Sequence, residues 1–531
     1  MAQDLAASGV DMAGLMLAGR WKSPATVIRY IQNLAVHHTA AAQYLETQHH
    51  TSARSSATMA AMAERPNHMS PEEFRQRGYQ AVDWVADYMA RLGDLPVMAD
   101  VKPGDVRHKL PAEPPSRSED FSDVLADLDR VIMPGMTHWQ APGMYGYFPA
   151  NTSGPAALGE LIAASLGAHG AMWTTGPAVT ELEQHVLDWL VIALGLPEAF
   201  RGNGVITDGA SSSTLCAILA ARARAGGNEK LDQMVAYTSE QSHYSIAKGL
   251  RVAGIADSRI RLIATTPDYA MRADHLAYEI VKDRNDGLIP FFVGTTVGTT
   301  STTAVDPIPE LAWVASNFDV WTHVDAAFAG TAALCPEMRF LNAGLEDVDS
   351  YLFNPHKWML TNLDCSVFYV ADRANLLDAM AVEAEYLSGG TAAAATADAE
   401  HEAVDYRDWT VALGRRFRAL KLWFVIRHYG LEGLRTHIRR HIEWAGELTE
   451  WVEADSRFEL AAPTVVSLVC FRHKDGDAAS RRIMDTVNKS GRAFMSHTVL
   501  DGRFTLRVAI GSPQTERHHV QELWNLIQSA A

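Results

Sequence analysis

A chain of 531 residues, 47% apolar and 21% charged, holds enough apolar material for a large core and two or three domains of ordinary globular composition. A formal net charge of −17 argues against a surface made for nucleic acid or an anionic membrane, and no apolar run has the length of a membrane span or the pattern of a signal peptide. Four cysteines (Cys216, Cys335, Cys365 and Cys470) without a CxxC pair set aside a zinc site and a disulfide framework, so a cytoplasmic protein without bound metal is expected.

Residues 1–58 are rich in Ala, His and Thr and differ in character from the rest of the chain. Gly19-Arg20-Trp21-Lys22-Ser23-Pro24, followed by Arg29-Tyr30, resembles the C-terminal end of tyrosine recombinases, where a His or Trp precedes the nucleophilic Tyr at this spacing. The arginines and histidine that complete a recombinase site are not recognisable upstream, so an appended, non-catalytic tail is expected. A helical arm at residues 59–130 comes next, of the kind that wraps a partner subunit at a dimer interface. Ser70 is placed to cap it, Pro71 suits the first helical position, and Glu73 completes a capping box. Phe74, Tyr79, Val82, Val85, Tyr88 and Met89 make its apolar stripe, and Pro-rich 110–115 breaks the pattern.

From 131 to 430 strands and helices alternate, the pattern of a mostly parallel sheet. Thr180-Glu181-Leu182-Glu183 reads as a capping box opening a helix through Trp189. The strand Gly204–Thr207 leads into Asp208-Gly209-Ala210-Ser211-Ser212-Ser213-Thr214 and then an Ala- and Leu-rich helix. Small residues, hydroxyls and unpaired amides at a helix N-terminus suit a phosphate, although a serine-rich turn more often only caps its helix. The strand Val320–Val324 delivers Asp325 at its carboxyl end, where open α/β sheets place ligands, and Lys357 follows in Asn354-Pro355-His356-Lys357-Trp358. A lysine able to form a Schiff base and an acid able to hold a pyridine nitrogen protonated are the two groups that pyridoxal phosphate requires. After 430 a helix over Leu434–Val452, strands near Val465–Phe471 and Phe504–Ile510, and a helix over Thr515–Ser529 predict a small α+β domain at 431–531.

With these motifs in place, the chain from about residue 69 onward resembles the group II pyridoxal-phosphate decarboxylases of the aromatic L-amino-acid decarboxylase family. The phrases that carry the resemblance agree in order. They are Thr137-His138-Trp139-Gln140-Ala141-Pro142, Tyr147-Phe148-Pro149, Thr180–Glu183, His323-Val324-Asp325-Ala326-Ala327, Asn354–Trp358, Leu413-Gly414-Arg415-Arg416-Phe417-Arg418 and Leu420-Lys421-Leu422-Trp423. The resemblance implies an α/β type I aminotransferase fold, pyridoxal 5'-phosphate as cofactor, and a homodimer with shared active sites. It implies that Lys357 carries the cofactor, Asp325 pairs with the ring nitrogen, and His243 stacks on the ring and assists protonation. Ala210, Ser211 and Asn354 are implied phosphate contacts, Thr296 and Ala327 ring contacts, and His356 the neighbour that orients the lysine.

The same resemblance implies decarboxylation of tryptophan, 5-hydroxytryptophan, Dopa, tyrosine or phenylalanine to the aryl amine. Tyr386, before Gly389-Gly390 in a lid-like loop, matches the tyrosine that protonates the product across the dimer, whereas members with phenylalanine there make aldehydes. Aromatic acetaldehyde synthesis on the same scaffold is the alternative. Trp139, Tyr147, Phe148 and Pro149 match an aromatic pocket, and Gly414 matches the position that separates indole-using from phenol-using plant members. His169 and Ala171 stand where relatives usually carry apolar or aromatic residues, Ala150 where some carry Thr, and Phe328 where Tyr is common. Indolic substrates are therefore expected to be favoured.

Overall fold

The computed structural model describes residues 68–381 and 403–531. The recombinase-like segment and Tyr386 lie outside the described residues. Among the described residues, those up to Met89 belong to one compact unit and those from Ala90 to another. The helix Pro71–Arg91 opens with the expected capping box: Ser70 Oγ accepts from the Glu73 amide at 3.2 Å, and the Glu73 carboxylate accepts from the Ser70 amide at 2.9 Å. None of its side chains is buried, and Phe74, Tyr79, Val82, Val85 and Met89 are exposed.

In the second unit β1 (Met144–Tyr145) is followed by β2 (Gly204–Thr207), β3 (Met234–Ser239), β4 (Ile260–Ile263), β5 (Ile289–Thr296), β6 (Trp321–Asp325), β7 (Ser350–Phe353) and β8 (Ser366–Val370). Then come β9 (Phe458–Leu460), β10 (Leu468–His473), β11 (Phe494–Leu500) and β12 (Arg503–Ala509). Strands β2 to β8 build a seven-stranded sheet in the order β2-β8-β7-β6-β5-β3-β4. Only β8 runs against the rest. This is the mostly parallel α/β sheet of the type I fold. Helices between the strands cover both faces, so β6 is buried along its whole length even though it reads Trp-Thr-His-Val-Asp. Register places Thr296 of β5 beside Asp325 of β6, and Asp325 beside Leu352 of β7. Three carboxyl ends thus meet where the chain leaves the sheet.

One local expectation is corrected. The helix carrying Thr180–Glu183 starts at Pro177, not at Thr180, and Thr180 and Glu183 form no capping box. Pro177 supplies the first turn without needing a donor, and the Thr180 hydroxyl donates to the Gly176 carbonyl at 3.1 Å. Glu183 faces the core, where it accepts from the Ile206 amide at 2.8 Å and pairs with Arg415.

The C-terminal part holds a five-stranded sheet in the order β1-β11-β12-β10-β9. The strands expected near 465–471 and 504–510 are β10 and β12. Strand β11 escapes the alternation rule because its burial is irregular. Its signal is Asp501-Gly502, a two-residue hairpin turn with both residues at positive φ (52° and 74°), pairing Leu500 with Arg503. Strand β1 joins this sheet from far upstream, pairing parallel with β11. No helix among the described residues is long and apolar enough to cross a membrane.

Candidate active site

Asp325 ends β6, and its Oδ1 accepts the Ala327 amide at 3.0 Å, which turns the chain sharply and points the carboxylate off the sheet edge. The Asn354 amide donates to the Ala327 carbonyl at 3.0 Å, tying the end of β7 to the end of β6. Asn354 then precedes the short helix Pro355–Trp358, which presents Lys357. These groups line a cavity of about 280 Å³ together with Phe148, Asp208, Gly209, Ala210, Ser211, His243, Thr296, Gly298, Thr300, Ala327, Phe328, His356 and Leu363. All the expected cofactor residues are therefore in one cavity: Ala210, Ser211, His243, Thr296, Asp325, Ala327, Asn354, His356 and Lys357.

The donor set fits pyridoxal phosphate. The helix Ala210–Arg224 begins at Gly209, and the amides of Ser212 and Ser213 fold back to the Gly209 carbonyl. The first amides, at Ala210 and Ser211, face the cavity end where an anion is favoured. Thr296 Oγ1 and Asn354 Oδ1 are buried and have no hydrogen-bond partner among the described residues, as expected of groups that await a polar ligand. Burial lowers the pKa of the Lys357 amine, which favours its neutral form, and the nearby Asp325 carboxylate partly restores it.

Burial disfavours the charged form of the surrounding histidines. His243 caps the helix Tyr244–Val252, with Nδ1 accepting from the Ser245 amide at 3.3 Å, which leaves the proton on Nε2. Burial lowers its pKa, against the pull of Asp325 and with the push of Lys357. His356 Nδ1 accepts from the Cys365 amide at 3.0 Å, and burial first, then Lys357, lowers its pKa to about 4. His323 in β6 and His437 are likewise lowered to about 4 by burial.

These shifts predict acid lability. A base whose folded pKa is depressed binds its proton better when unfolded. Its stabilisation is full above about pH 6.5 and is lost as pH falls toward 4, on the order of 3 kcal/mol for each of His323, His356 and His437. Buried Asp306, raised to about 6, opposes this because its protonated form is favoured in the fold. Buried His441, held well below the usual imidazole range, adds to the loss, so the single acid does not offset the bases. The urea midpoint of the apoprotein should fall steeply between pH 7 and pH 5; a flat profile would show that these rings are not held neutral.

Aromatic residues divide between cavity and core. Phe148 lines the cavity, stacks on Phe328 at 4.1 Å, and has its ring centre 5.6 Å from Lys357 Nζ. Phe328 is also stacked on Trp358 at 4.7 Å and is 1% exposed, so it is wedged between two rings. Trp139 and Tyr147 stack on one another and are exposed, while Pro149 packs against Gly511; none of the three lines the Lys357 cavity. His169, Ala171 and Gly414 form a separate group. The Gly170 amide donates to the Arg415 carbonyl at 3.0 Å, the Arg407 amide to the Ala171 carbonyl at 3.0 Å, and a Cβ on Gly414 would lie 4.0 Å from His169 Nε2. This group also lies outside the Lys357 cavity.

Three supports escaped the sequence-based expectations. Asp306 accepts from the amides of Thr296 (2.8 Å) and Met271 (2.7 Å), fixing the end of β5. Arg507 of β12 donates to the carbonyls of Thr300 (2.5 Å) and Ser301 (3.0 Å), so the small sheet holds the loop beside the cavity. Arg415 pairs with Glu183 and donates to the Ile206 carbonyl at 3.2 Å, linking the Gly414 wall to the strand that leads into the Ala210 turn. Glu183 and Arg415 are 1% and 4% exposed. Arg415→Met should cost about 3–5 kcal/mol, because it strands a buried carboxylate. Glu183→Gln with Arg415→Met should recover much of that loss. Equal unfolding midpoints for the wild type and Arg415→Met would mean that the pair contributes nothing.

Comparison with known proteins gives this site its class. The model of the pyridoxal-dependent decarboxylase conserved domain matches residues 103–474. The chain belongs to that family, and it is a pyridoxal-phosphate-dependent carboxy-lyase. Within the family it groups with the enzymes of aromatic amino-acid decarboxylation. It is 43% identical to tyrosine decarboxylase 2 of Narcissus pseudonarcissus over 87% of this chain and 95% of the relative. It is also 43% identical to a phenylacetaldehyde synthase of Arabidopsis thaliana, over 87% and 96%. The crystal structure of Oryza sativa TDC with PLP and tryptamine superposes with a TM-score of 0.84 at 39% identity, covering 87% of this chain and 98% of that one.

Proposed function

We propose that the protein converts aromatic L-amino acids to the aryl amine and carbon dioxide, with indolic substrates favoured. The observation that carries this is the convergence of the Lys357 amine, the Asp325 carboxylate and the Ala210–Ser211 amides on one cavity. The relatives named above support the aromatic class. Pyridoxal phosphate, when bound, supplies an aldehyde for covalent attachment and an electron-poor ring that takes up the charge left as carbon dioxide departs. Lys357 would be the residue that holds it, its amine standing in the cavity wall where burial favours the neutral form. Asp325 would face the ring nitrogen and favour its proton, a preorganised charge of the kind that usually supplies the largest share of acceleration. The amides at Ala210 and Ser211, with Asn354, bind the phosphate, while His243, Thr296 and Ala327 line the space for the ring. His356, held by the Cys365 amide at Nδ1, lines the cavity beside the lysine and is placed to orient it. Tyr386 returns a proton to Cα, so that one amino acid and one proton give one amine and one carbon dioxide.

We also propose that two copies complete each site. In support, the helix Gly154–Leu166 exposes Leu158, Leu161, Ile162 and Leu166, an apolar face of the kind that marks an interface. The separation of the His169–Ala171–Gly414 group from the Lys357 cavity fits a substrate wall supplied by the second copy.

Gly414 carries the indole preference. A serine there has room, since its Cβ would make only ordinary contact with His169, so the fold should tolerate Gly414→Ser. The added hydroxymethyl takes space from the substrate instead. Overpacking of about 1–3 kcal/mol should lower kcat/KM for tryptophan roughly ten-fold relative to tyrosine. Equal losses for both would remove Gly414 from the substrate wall.

A second reading, aromatic acetaldehyde synthesis, is supported by a similarity to a phenylacetaldehyde synthase equal to that shown to the tyrosine decarboxylase. It consumes oxygen and water and releases aldehyde, carbon dioxide, ammonia and hydrogen peroxide. Assays of amine and peroxide on the same sample separate the two readings.

A further inference from the structure

Behind the cavity a chain of hydrogen bonds joins three segments that the proposed cofactor site depends on. Trp321 Nε1 lies 2.8 Å from Ser350 Oγ, and His323 Nδ1 lies 2.9 Å from the same oxygen. An indole nitrogen can only donate, so Ser350 Oγ accepts from Trp321 and its own hydrogen is free to go to His323 Nδ1, the arrangement that suits a neutral imidazole. The His323 proton is then on Nε2, facing Thr214 Oγ1 at 3.3 Å. All four residues are buried, and His323 is 0% exposed.

Each end of this chain leads to a different part of the site. Thr214 lies one helical turn after Ala210 in the helix whose N-terminus forms the anion end of the cavity. His323 lies two residues before Asp325 on β6, and two residues along a strand share one face. Ser350 begins β7, which runs directly into Asn354 and the Lys357 turn. Side-chain contacts reinforce the link, since the His323 ring packs on Phe292 at 5.9 Å and on Phe368 at 6.3 Å. A neutral imidazole is well suited here, because a cation so close to Asp325 would compete for its charge.

We propose that His323 is a positioning residue for the cofactor: it locks the anion-binding helix, the Asp325 strand and the Lys357 strand in one register, so that phosphate, ring nitrogen and aldehyde are met together. This rests on the assignment of Asp325, Lys357 and the Ala210 turn to pyridoxal phosphate. Truncating the link leaves each contact residue in place but lets the helix and strand settle independently.

The test is pyridoxal phosphate binding to the apoprotein, measured with His323→Leu, Thr214→Val and the double variant, alongside apoprotein unfolding and the pH titration of the bound-cofactor absorption band. His323→Leu should raise the dissociation constant at least ten-fold and shift the titration midpoint of the band. Thr214→Val, a near-isosteric change that keeps the fold, should raise the constant several-fold alone and add nothing in the His323→Leu background. KM for the amino acid under saturating cofactor should stay within two-fold. His323→Gln, which can still donate toward Thr214, should recover part of the affinity. Loss of apoprotein stability with an unchanged dissociation constant and band would overturn the proposal, as would additive effects of the two substitutions. Failure of the underlying cofactor assignment looks different: Asp325→Asn and Lys357→Ala would then leave pyridoxal phosphate binding unaltered.

Discussion

Replacing Lys357 by alanine should abolish covalent attachment of the cofactor and reduce turnover by at least about 10³-fold, the range lost when a positioned reactive side chain is removed. The fold should survive. Lys357 sits in a cavity wall where burial already disfavours its charge, so its removal relieves a desolvated amine rather than breaking a bonded pair. The apoprotein of Lys357→Ala should therefore unfold at or slightly above the wild-type midpoint, while borohydride treatment of the cofactor-loaded variant should fix nothing to the chain. Borohydride-fixed cofactor in Lys357→Ala would place the attachment on another lysine. Lys421, also buried among the described residues, stands 2.8 Å from the Glu160 carboxylate and outside the Lys357 cavity.

Changing Tyr386 to phenylalanine should change the product rather than the rate of carbon dioxide release. The two side chains have nearly equal volume, but only the phenol can donate a proton to Cα. Without that donor, carbon dioxide should still leave, amine output should fall, and aldehyde, ammonia and peroxide should rise together. The proposed shared site makes this testable between subunits. Mixing Tyr386→Phe with Lys357→Ala chains should create one normal site per heterodimer, with Lys357 from the first and Tyr386 from the second. Amine formation that never recovers in verified heterodimers would mean that Tyr386 acts within its own subunit or does not protonate Cα.

The parts of the fold and site legible in the sequence are those in which one short segment does one job. Ser70–Glu73 forms its capping box because both bonds are local. Asp325 and Lys357 end a buried strand and start a turn, so their place at the sheet edge follows from pattern and order alone. What was not legible depends on partners far away in the chain. Glu183 looks like a capping residue until Arg415 and the β2 backbone claim its carboxylate. Asp306 looks like a loop acid, yet it anchors two distant amides. Arg507 belongs to a different sheet from the loop it holds. Strand β1 could not be assigned to the C-terminal sheet, because two residues carry too little pattern to specify a partner 350 positions away. The aromatic phrase divides in the same manner: Phe148 reaches the cavity, while Pro149, next to it, packs on Gly511.

The most direct measurement is the stoichiometry of products from purified protein loaded with pyridoxal phosphate and offered tryptophan, 5-hydroxytryptophan, Dopa, tyrosine and phenylalanine in turn. Carbon dioxide and aryl amine should appear one for one, fastest with an indolic amino acid, with no matching peroxide. Carbon dioxide accompanied by equal aldehyde and peroxide, or no carbon dioxide from any of the five, would contradict the assignment.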